Sequence, residues 1–285
     1  MGDDPIDTSS ISFTAHYTGH TWVAKGLSAP EFRTTRGSLY YHALTPLEAM
    51  ARLAVGDNFR IFLEQRHRMM DHLLREAIGV GGVTQVLEIA CGLTPRGCRF
   101  VEEFPELTYV EADLPAMAER KRRLLVDVDG PVPDVVDINI FAEEGELSLG
   151  HVLERFDRSE PIAVITEGLA LYFKRETMAG FWEELVHKLS AFPHATYLSE
   201  TYLVDKSKRL KGLIQVTRRA LGAMARSPVS FHFDDEGQCR SFLAELGFSE
   251  VQIHDPRDYY EKLDLPRSGG APIVRVVEAQ VGKDC

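Results

Sequence analysis

The sequence has few cysteines, no long hydrophobic run and no excess of basic residues. Its four cysteines among 285 residues form no C-x-x-C pair and show no metal-ligand spacing. We therefore expect reduced thiols and neither a disulfide framework nor a metal site. The formal net charge of -11 argues against nucleic acid and anionic membranes as partners. No window reaches membrane-spanning length, and the acidic first residues lack the apolar core of a secretion signal, so we expect a cytoplasmic location.

The chain also lacks the G-x-G-x-x-G pattern that dinucleotide-binding sheets carry. The segment 86–96 reads V-L-E-I-A-C-G-L-T-P-R, with Ala90 two residues before Gly92 and Gly97 out of position. A pyrophosphate needs the missing glycines for close contact with the backbone. A dinucleotide is therefore disfavoured, and a ligand without phosphates fits this turn better.

Strand-like and helix-like segments alternate from residue 83 onward. Strands are predicted at 83–89, 107–111, 132–136, 163–166, 195–198, 248–254 and 273–281, and helices at 97–104, 115–126, 147–156, 177–191 and 234–246. This alternation predicts an α/β protein with a Rossmann-like, mostly parallel seven-stranded sheet and helices on both faces. The last two strands would form the closing pair that distinguishes the methyltransferase variant of this sheet.

Two helical additions are expected around the sheet. Residues 1–79 show no clear strand, and apolar spacing predicts a helix over 58–78 that ends at Gly79, Gly81 and Gly82. We interpret 1–79 as a helical lid or substrate cap and 80–285 as the ligand-binding domain. A helix-prone stretch, 204–225, gives a helical insertion at 203–227 that we also expect over the site.

A glycine turn and three carboxylates follow four predicted strands, one at the end of each strand. Gly92 lies at a strand-to-helix turn, where the helix N-terminus offers free N–H groups. Asp113, about 20 residues further on, suits a ribose diol, and Asp137 could reach an adenine amino group. Glu167 ends the fourth strand. All four positions belong to the carboxyl edge of the sheet, so together they predict a nucleoside site.

These segments resemble the leucine carboxyl methyltransferase family. The resemblance rests on R-x-R-M-M-D at 66–71, on 86–96, on Y-V-E-A-D-L-P at 109–115 with Lys121, and on T-E-G-L-A-L-Y at 166–172. It extends from about Arg66 to Tyr202 and is greatest toward the bacterial O-methyltransferases of polyketide biosynthesis. It implies S-adenosylmethionine as cofactor and transfer of its methyl group to an oxygen.

The resemblance also implies roles for individual residues. Arg66 would bind the methionine carboxylate of the cofactor, with support from Arg96, and Glu167 would face its amino end. Ala90 and Gly92 would line the cofactor with their backbone. Asp113 would hold the ribose, and Asp137 and Ile138 would hold the adenine. The chain departs from the family at Ala90, where the family has glycine, and at Thr94-Pro95, where it has Asp-Thr.

The acceptor and its activation stay open at this point. A carboxylate is already ionised at neutral pH and needs no general base, whereas a phenol would benefit from one. The candidates for acceptor contact or catalysis are Tyr172, His20 and Tyr202, then His16, Tyr17, Trp22, Tyr40, Tyr41 and His42. Arg218 and Arg219 could meet an anionic substrate, although a solvated helix face explains them better.

A small-molecule acceptor is the preferred interpretation. The alternatives are a protein C-terminal carboxyl methyltransferase and a non-catalytic cofactor-binding protein. The sequence predicts no particular oligomeric state.

Overall fold

The computed structural model describes residues 8–55, 59–203 and 230–282. Its centre is a seven-stranded sheet in the order β3-β2-β1-β4-β5-β7-β6. The strands are β1 Gln85–Ile89, β2 Thr108–Asp113, β3 Asp134–Asp137, β4 Ile162–Thr166, β5 His194–Tyr202, β6 Glu250–His254 and β7 Val274–Gly282. The first five pair in parallel, and β7 runs antiparallel to both β5 and β6. The sheet is therefore mixed, mostly parallel with the predicted closing pair.

Eight α-helices surround this sheet in the described part of the chain. They are α1 Thr8–Ala24, α2 Thr35–Val55, α3 Phe59–Gly79, α4 Arg96–Glu103, α5 Pro115–Leu125, α6 Leu149–Leu153, α7 Arg175–Leu189 and α8 Glu236–Glu245. Side-chain oxygens of Ser148 and Asp235 accept from backbone N–H groups at the starts of α6 and α8, which fixes where those helices begin. None of the helices in these ranges is long and apolar enough to cross a membrane.

The central strands are buried on both faces, as their continuous apolar runs predict. Alternate residues of β1 belong to different clusters: Leu87 packs in the cluster of Leu185 on α7, and Val86 packs in that of Leu74 on α3 and Phe100 on α4. Helices on both faces are thus confirmed. This double cover directs ligand binding to the edge where the parallel strands end.

Most predicted elements are present, with shifted boundaries. The strand predicted at 132–136 begins only at Asp134, because Val132 is 42% exposed and lies before the pairing with β2. The strand predicted at 195–198 extends over 194–202, since β7 pairs along its full length. The helix predicted at 147–156 is reduced to 149–153.

The N-terminal helices reach the carboxyl edge of the sheet. Helix α1 packs on α2 and crosses the loop after β1 so closely that a Cβ added to Gly19 would lie 3.0 Å from Cβ of Leu93. A Cβ added to Gly92 would lie 3.4 Å from Cβ of Ala15. The insertion expected at 203–227, with Arg218 and Arg219, falls almost wholly outside the described residues.

Candidate cofactor and acceptor site

One pocket lies at the carboxyl edge, beneath α1. It brings together Arg66 of α3, Ala90 and Gly92 of the loop after β1, Asp113 at the end of β2 and Glu167 at the end of β4. These residues come from four separate parts of the chain. Five of the seven predicted cofactor residues thus line a single pocket.

The loop after β1 has an unusual backbone at the position where this chain departs from the family. Ala90 has φ of 56° and Gly92 has φ of 53°, both in the left-handed region. Glycine adopts this region without steric cost, whereas a Cβ at such a position costs about 1–2 kcal/mol. The chain thus adopts the left-handed turn although residue 90 is alanine. Ala90 and Gly92 both line the pocket.

Asp113 binds the same loop. Its Oδ2 accepts from the backbone N–H of Gly92 at 2.7 Å, and its Oδ1 accepts from that of Leu114 at 2.7 Å. Burial raises the pKa of Asp113 to about 6, although these hydrogen bonds favour the ionised form. A carboxylate has about four acceptor sites, so each oxygen keeps capacity for a ribose hydroxyl.

Arg66 is buried and held by three side chains. Its Nε donates to Glu167 at 2.8 Å, and its Nη1 donates to the Tyr202 hydroxyl at 2.8 Å and to Glu200 at 3.4 Å. Within the described ranges, its Nη2 donates to no side chain or carbonyl, although Arg66 lines the pocket. Both hydrogens of Nη2 are thus available for a carboxylate, which fits the role implied by the resemblance.

Glu167 is the centre of a buried charge network. Its Oε2 accepts from Arg96 Nη2 at 2.6 Å and lies 2.9 Å from Nδ1 of His67. Burial alone would raise the pKa of Glu167, but His67, Arg96 and Arg66 together hold it well below its usual range. Glu167 is therefore ionised at neutral pH and can face a cationic group in the pocket.

Arg96 lies behind this carboxylate, not in the pocket. It is fully buried and forms ion pairs with Asp71, Glu88 and Glu167. A guanidinium shared among three protein carboxylates has little left to offer a ligand. Arg96 therefore stabilises the Glu167 and Glu88 carboxylates from behind. It does not reach the pocket to support binding of the methionine carboxylate, contrary to our expectation.

A second, apolar hollow adjoins the pocket and shares Ala90, Asp113 and Leu169 with it. Ile138 lines this hollow, as expected for a residue beside an adenine. Asp137 does not line it, since its carboxylate pairs with Arg122 of α5 at 3.0 Å. The apolar lining of this hollow suits a purine ring, but Asn139 lines it in the place expected for Asp137.

The acceptor candidates separate into two groups. Tyr172 and Trp22 line the pocket, and the Trp22 indole stacks on the His67 ring with centroids 4.2 Å apart. Tyr202 is buried, and its hydroxyl accepts from Arg66. His20 lines neither the pocket nor the hollow. Its side chain points from α1 toward α2, where its ring lies 4.9 Å from that of Tyr41.

His16 also lies away from the pocket and has a structural position. Its Nδ1 is 2.9 Å from Oγ1 of Thr34, and its Nε2 accepts from Arg120. Burial and the charge of Arg120 lower the pKa of His16 to about 4. It is therefore neutral near pH 7 and joins α1 to α5.

The sequence analysis missed several buried charges around the pocket. Glu88 lines it, while Asp71 and Glu200 lie behind Arg96 and Arg66. One signal was present, since Glu88 is a carboxylate within the mostly apolar predicted strand 83–89. Burying such a charge is costly unless it is paired, so Glu88 implied a buried cation nearby.

The strand order, with its antiparallel last strand, and the pocket at the carboxyl edge define a Rossmann-like methyltransferase fold. A sequence profile of the leucine carboxyl methyltransferase family matches residues 28–185, more than half of the chain. The chain belongs to this family, as its motifs predicted, and S-adenosylmethionine is its cofactor.

Three relatives show how far the similarity extends. A candidate S-adenosyl-L-methionine-dependent methyltransferase of Mycobacteroides abscessus is 33% identical over 132 residues, 46% of this chain and 43% of the relative. Leucine carboxyl methyltransferase 1 of Eremothecium gossypii is 26% identical over 126 residues, 38% of this chain and 39% of the relative. These alignments cover less than half of each curated relative. The crystal structure of a candidate methyltransferase from Thermobifida fusca is similar in fold, with 13% identity, coverage of 96% and 94%, and a TM-score of 0.64.

Proposed function

We propose that this protein transfers the methyl group of S-adenosylmethionine to an oxygen of a small molecule. The observation that carries the proposal is the convergence of Arg66, Asp113 and Glu167 on one pocket, which also has an apolar wall containing Trp22 and Leu171. The polar groups suit the charged ends of the cofactor. The apolar wall leaves room for an acceptor beside it.

The proposed cofactor contacts follow from the donors and acceptors that the protein leaves available. Nη2 of Arg66 would bind the methionine carboxylate, and the ionised Glu167 would face the ammonium group. Asp113 would accept from the ribose hydroxyls, and the hollow containing Ile138 would take the adenine. S-adenosylmethionine supplies a methyl group on a sulfonium, which an aligned oxygen nucleophile displaces. The protein then contributes alignment and a pocket with little water.

The pocket favours an acceptor that is already ionised. In the part of the chain that the structure describes, no histidine lines it. Its carboxylates are engaged: Glu167 with two arginines, Glu88 with Arg96 and the Tyr109 hydroxyl, and Asp113 with backbone N–H groups. A carboxylate acceptor, with a pKa near 4, needs no further base. We therefore infer that the atom that accepts the methyl group is a carboxylate oxygen, in preference to a phenolic or enolic one.

The position of helix α1 favours a small-molecule acceptor over a protein chain. Ala15, Thr18 and Trp22 recur at helical spacing and all line the pocket. The N-terminal residues 1–79 would thus form a lid that narrows access to the methyl group. The second candidate is a protein C-terminal carboxylate, which the family and the Eremothecium gossypii relative favour and which has the same acceptor chemistry.

An acceptor screen tests the proposal. Purified protein would be incubated with S-adenosylmethionine and three separate groups of acceptors: small carboxylic acids, small phenols, and peptides with a free C-terminal carboxylate. We expect formation of S-adenosylhomocysteine and gain of one methyl group in the first group, detected by mass spectrometry. Methylation of the peptides alone would favour the protein substrate. Cofactor binding without turnover in any group would favour a non-catalytic role.

Matched variants make the screen specific to the site. Asp113→Ala removes the ribose contact and should abolish turnover at low cofactor concentration. Asp134→Ala, on the exposed start of β3, removes a carboxylate far from the pocket and should leave turnover unchanged. Calorimetry with S-adenosylmethionine and with NAD would accompany both, and the absence of heat with S-adenosylmethionine would contradict the proposal.

A further inference from the structure

Lys121 is a fully buried charge for which the proposed function has no use. It lies on α5, its side chain is 0% exposed, and it lines neither the pocket nor the apolar hollow. A buried ammonium group is costly and is kept only where it has partners. Its partners therefore indicate what it does.

Lys121 contacts a strand and the cofactor loop at once. Its Nζ lies 2.9 Å from Oε2 of Glu111 on β2, and it donates to the backbone carbonyl of Thr94. Burial alone would lower the pKa of Lys121, but Glu111 outweighs it and keeps the ammonium charged. The buried Glu111 carboxylate is in turn fully enclosed, so each charge depends on the other.

These two residues enclose the turn that joins the cofactor loop to α4. Thr94 is the last residue of the loop to line the pocket, and its carbonyl accepts from Lys121. Three residues later, a Cβ added to Gly97 would lie 2.5 Å from Oε1 of Glu111. Pro95, between them, has no backbone N–H and so donates no hydrogen bond of its own to the turn. Backbone hydrogen bonds hold the start of the loop, where Cys91 N–H donates to the Ala112 carbonyl, and Lys121 of α5 and Glu111 of β2 hold its end with their side chains.

We propose that Lys121 is a positioning residue that sets the cofactor loop through the carbonyl of Thr94, with Glu111 balancing its charge. The inference rests on the proposed function, because it takes residues 90–94 as cofactor-binding. It assigns Lys121 no contact with cofactor or acceptor. Loss of its ammonium should release the loop and weaken cofactor binding while the fold remains.

Two variants separate this role from simple charge balance. Lys121→Met keeps the length of the side chain but leaves Glu111 buried without a cation, so both thermal stability and cofactor affinity should fall. The double variant Lys121→Met with Glu111→Gln removes both buried charges. Its unfolding midpoint should recover toward that of the unchanged protein.

Cofactor affinity should not recover in the double variant, because Thr94 has still lost its donor. We expect the dissociation constant of S-adenosylhomocysteine, measured by calorimetry, to be about tenfold weaker in both variants, the usual effect of losing a charged hydrogen-bond donor. The KM for S-adenosylmethionine should rise by the same factor with a smaller change in kcat. A matched control is Lys262→Met with Glu76→Gln, which removes an exposed pair 3.1 Å apart and should change neither quantity.

The outcomes are distinct. If the double variant binds S-adenosylhomocysteine as the unchanged protein does, Lys121 only neutralises Glu111 and the inference is wrong. If neither variant folds, the pair serves the stability of the fold alone, and the positioning role is equally overturned. If the unchanged protein does not bind S-adenosylhomocysteine, it is the proposed function that fails.

Discussion

Arg66 and Glu167 are 101 residues apart in the sequence, yet their side chains form an ion pair of 2.8 Å at the pocket. The pair joins α3 to the end of β4 and sets which atoms face the ligand. Arg66 is left with two N–H groups on Nη2, and Arg66, Arg96 and His67 together hold the pKa of Glu167 well below its usual range, which keeps Glu167 ionised. The methionine end of the cofactor would therefore meet a charge arrangement that already exists in the folded protein.

Arg66→Met should weaken binding of S-adenosylhomocysteine by about 1.5–3 kcal/mol, because a charged hydrogen-bond partner of the carboxylate is lost. Binding of methylthioadenosine, which has the same nucleoside without the amino-acid end, should change much less. Calorimetric titration of both ligands measures the difference. Arg68→Met is the control, since Arg68 donates to the backbone carbonyls of Leu263 and Asp264 away from the pocket. An equal loss for both ligands would contradict the carboxylate assignment.

The raised pKa of Asp113 predicts a pH dependence of cofactor binding. Ribose hydroxyls donate to the ionised carboxylate, so affinity for S-adenosylhomocysteine should rise with pH through about 6. Binding below that pH should release a proton, which calorimetry in buffers of different ionisation enthalpy detects. The protein with Asp113→Asn should lack this step, and a step that persists in it would assign the effect to another group.

The raised pKa of Asp113 also predicts that the stability of the ligand-free protein depends on pH. Its pKa is raised from 3.8 to about 6 by burial, so between these values the folded state holds a proton that the unfolded state has lost. The contribution of Asp113 to stability is therefore complete below pH 3.8 and is lost as pH rises toward 6. Urea unfolding across this range should show a decline that is absent in Asp113→Asn. An identical profile in the two proteins would contradict it.

Ala90→Gly should stabilise the protein by roughly 0.5–1 kcal/mol. Glycine removes the steric cost of φ at 56°, which exceeds the entropy cost of adding a glycine to the unfolded chain. Ala244→Gly, in an exposed turn of α8, makes the same change in a helix and should destabilise by a similar amount. Urea unfolding of both proteins measures the two signs, and destabilisation by Ala90→Gly would show that residue 90 bears no strain.

Trp22→Ala should raise the KM for the acceptor about tenfold, because the indole lines the pocket and stacks on His67. His20→Gln, on the same helix but outside the pocket, should leave steady-state turnover unchanged. Turnover lost in His20→Gln at full folding would restore His20 as a catalytic candidate. An unchanged KM in Trp22→Ala would remove α1 from the acceptor site.

Part of the site could be predicted because several of its residues lie directly at the ends of strands that the sequence itself indicates. Asp113 and Glu167 follow buried strands, and parallel strands end at a common edge, so both were bound to be near the turn at Gly92. Asp137 shows the limit of this reasoning. It ends β3 as predicted, but the last residue of an edge strand can turn to either side, and here it pairs with Arg122.

The histidines and tyrosines of the N-terminal region show the same limit more clearly. An aromatic-rich segment indicated a cover over the pocket, yet helical geometry sends neighbouring residues to different faces. Trp22 therefore lines the pocket while His16 and His20 do not. Which face of α1 meets the pocket depends on how the helix packs against α2 and the loop after β1.

The sequence by itself determined the alternating strands and helices, the turn at Gly92 and the carboxylates at the ends of β2 and β4, because periodicity and strand ends are local properties. Only the tertiary structure decided that Arg96 supports Glu167 from behind, that Arg66 keeps a free donor for the pocket, and that Lys121 holds the carbonyl of Thr94. These pairings join residues far apart in the chain. They form where the packing of helices on the sheet brings buried charges within reach, since a charge that is taken out of water must find its partner wherever the fold places one.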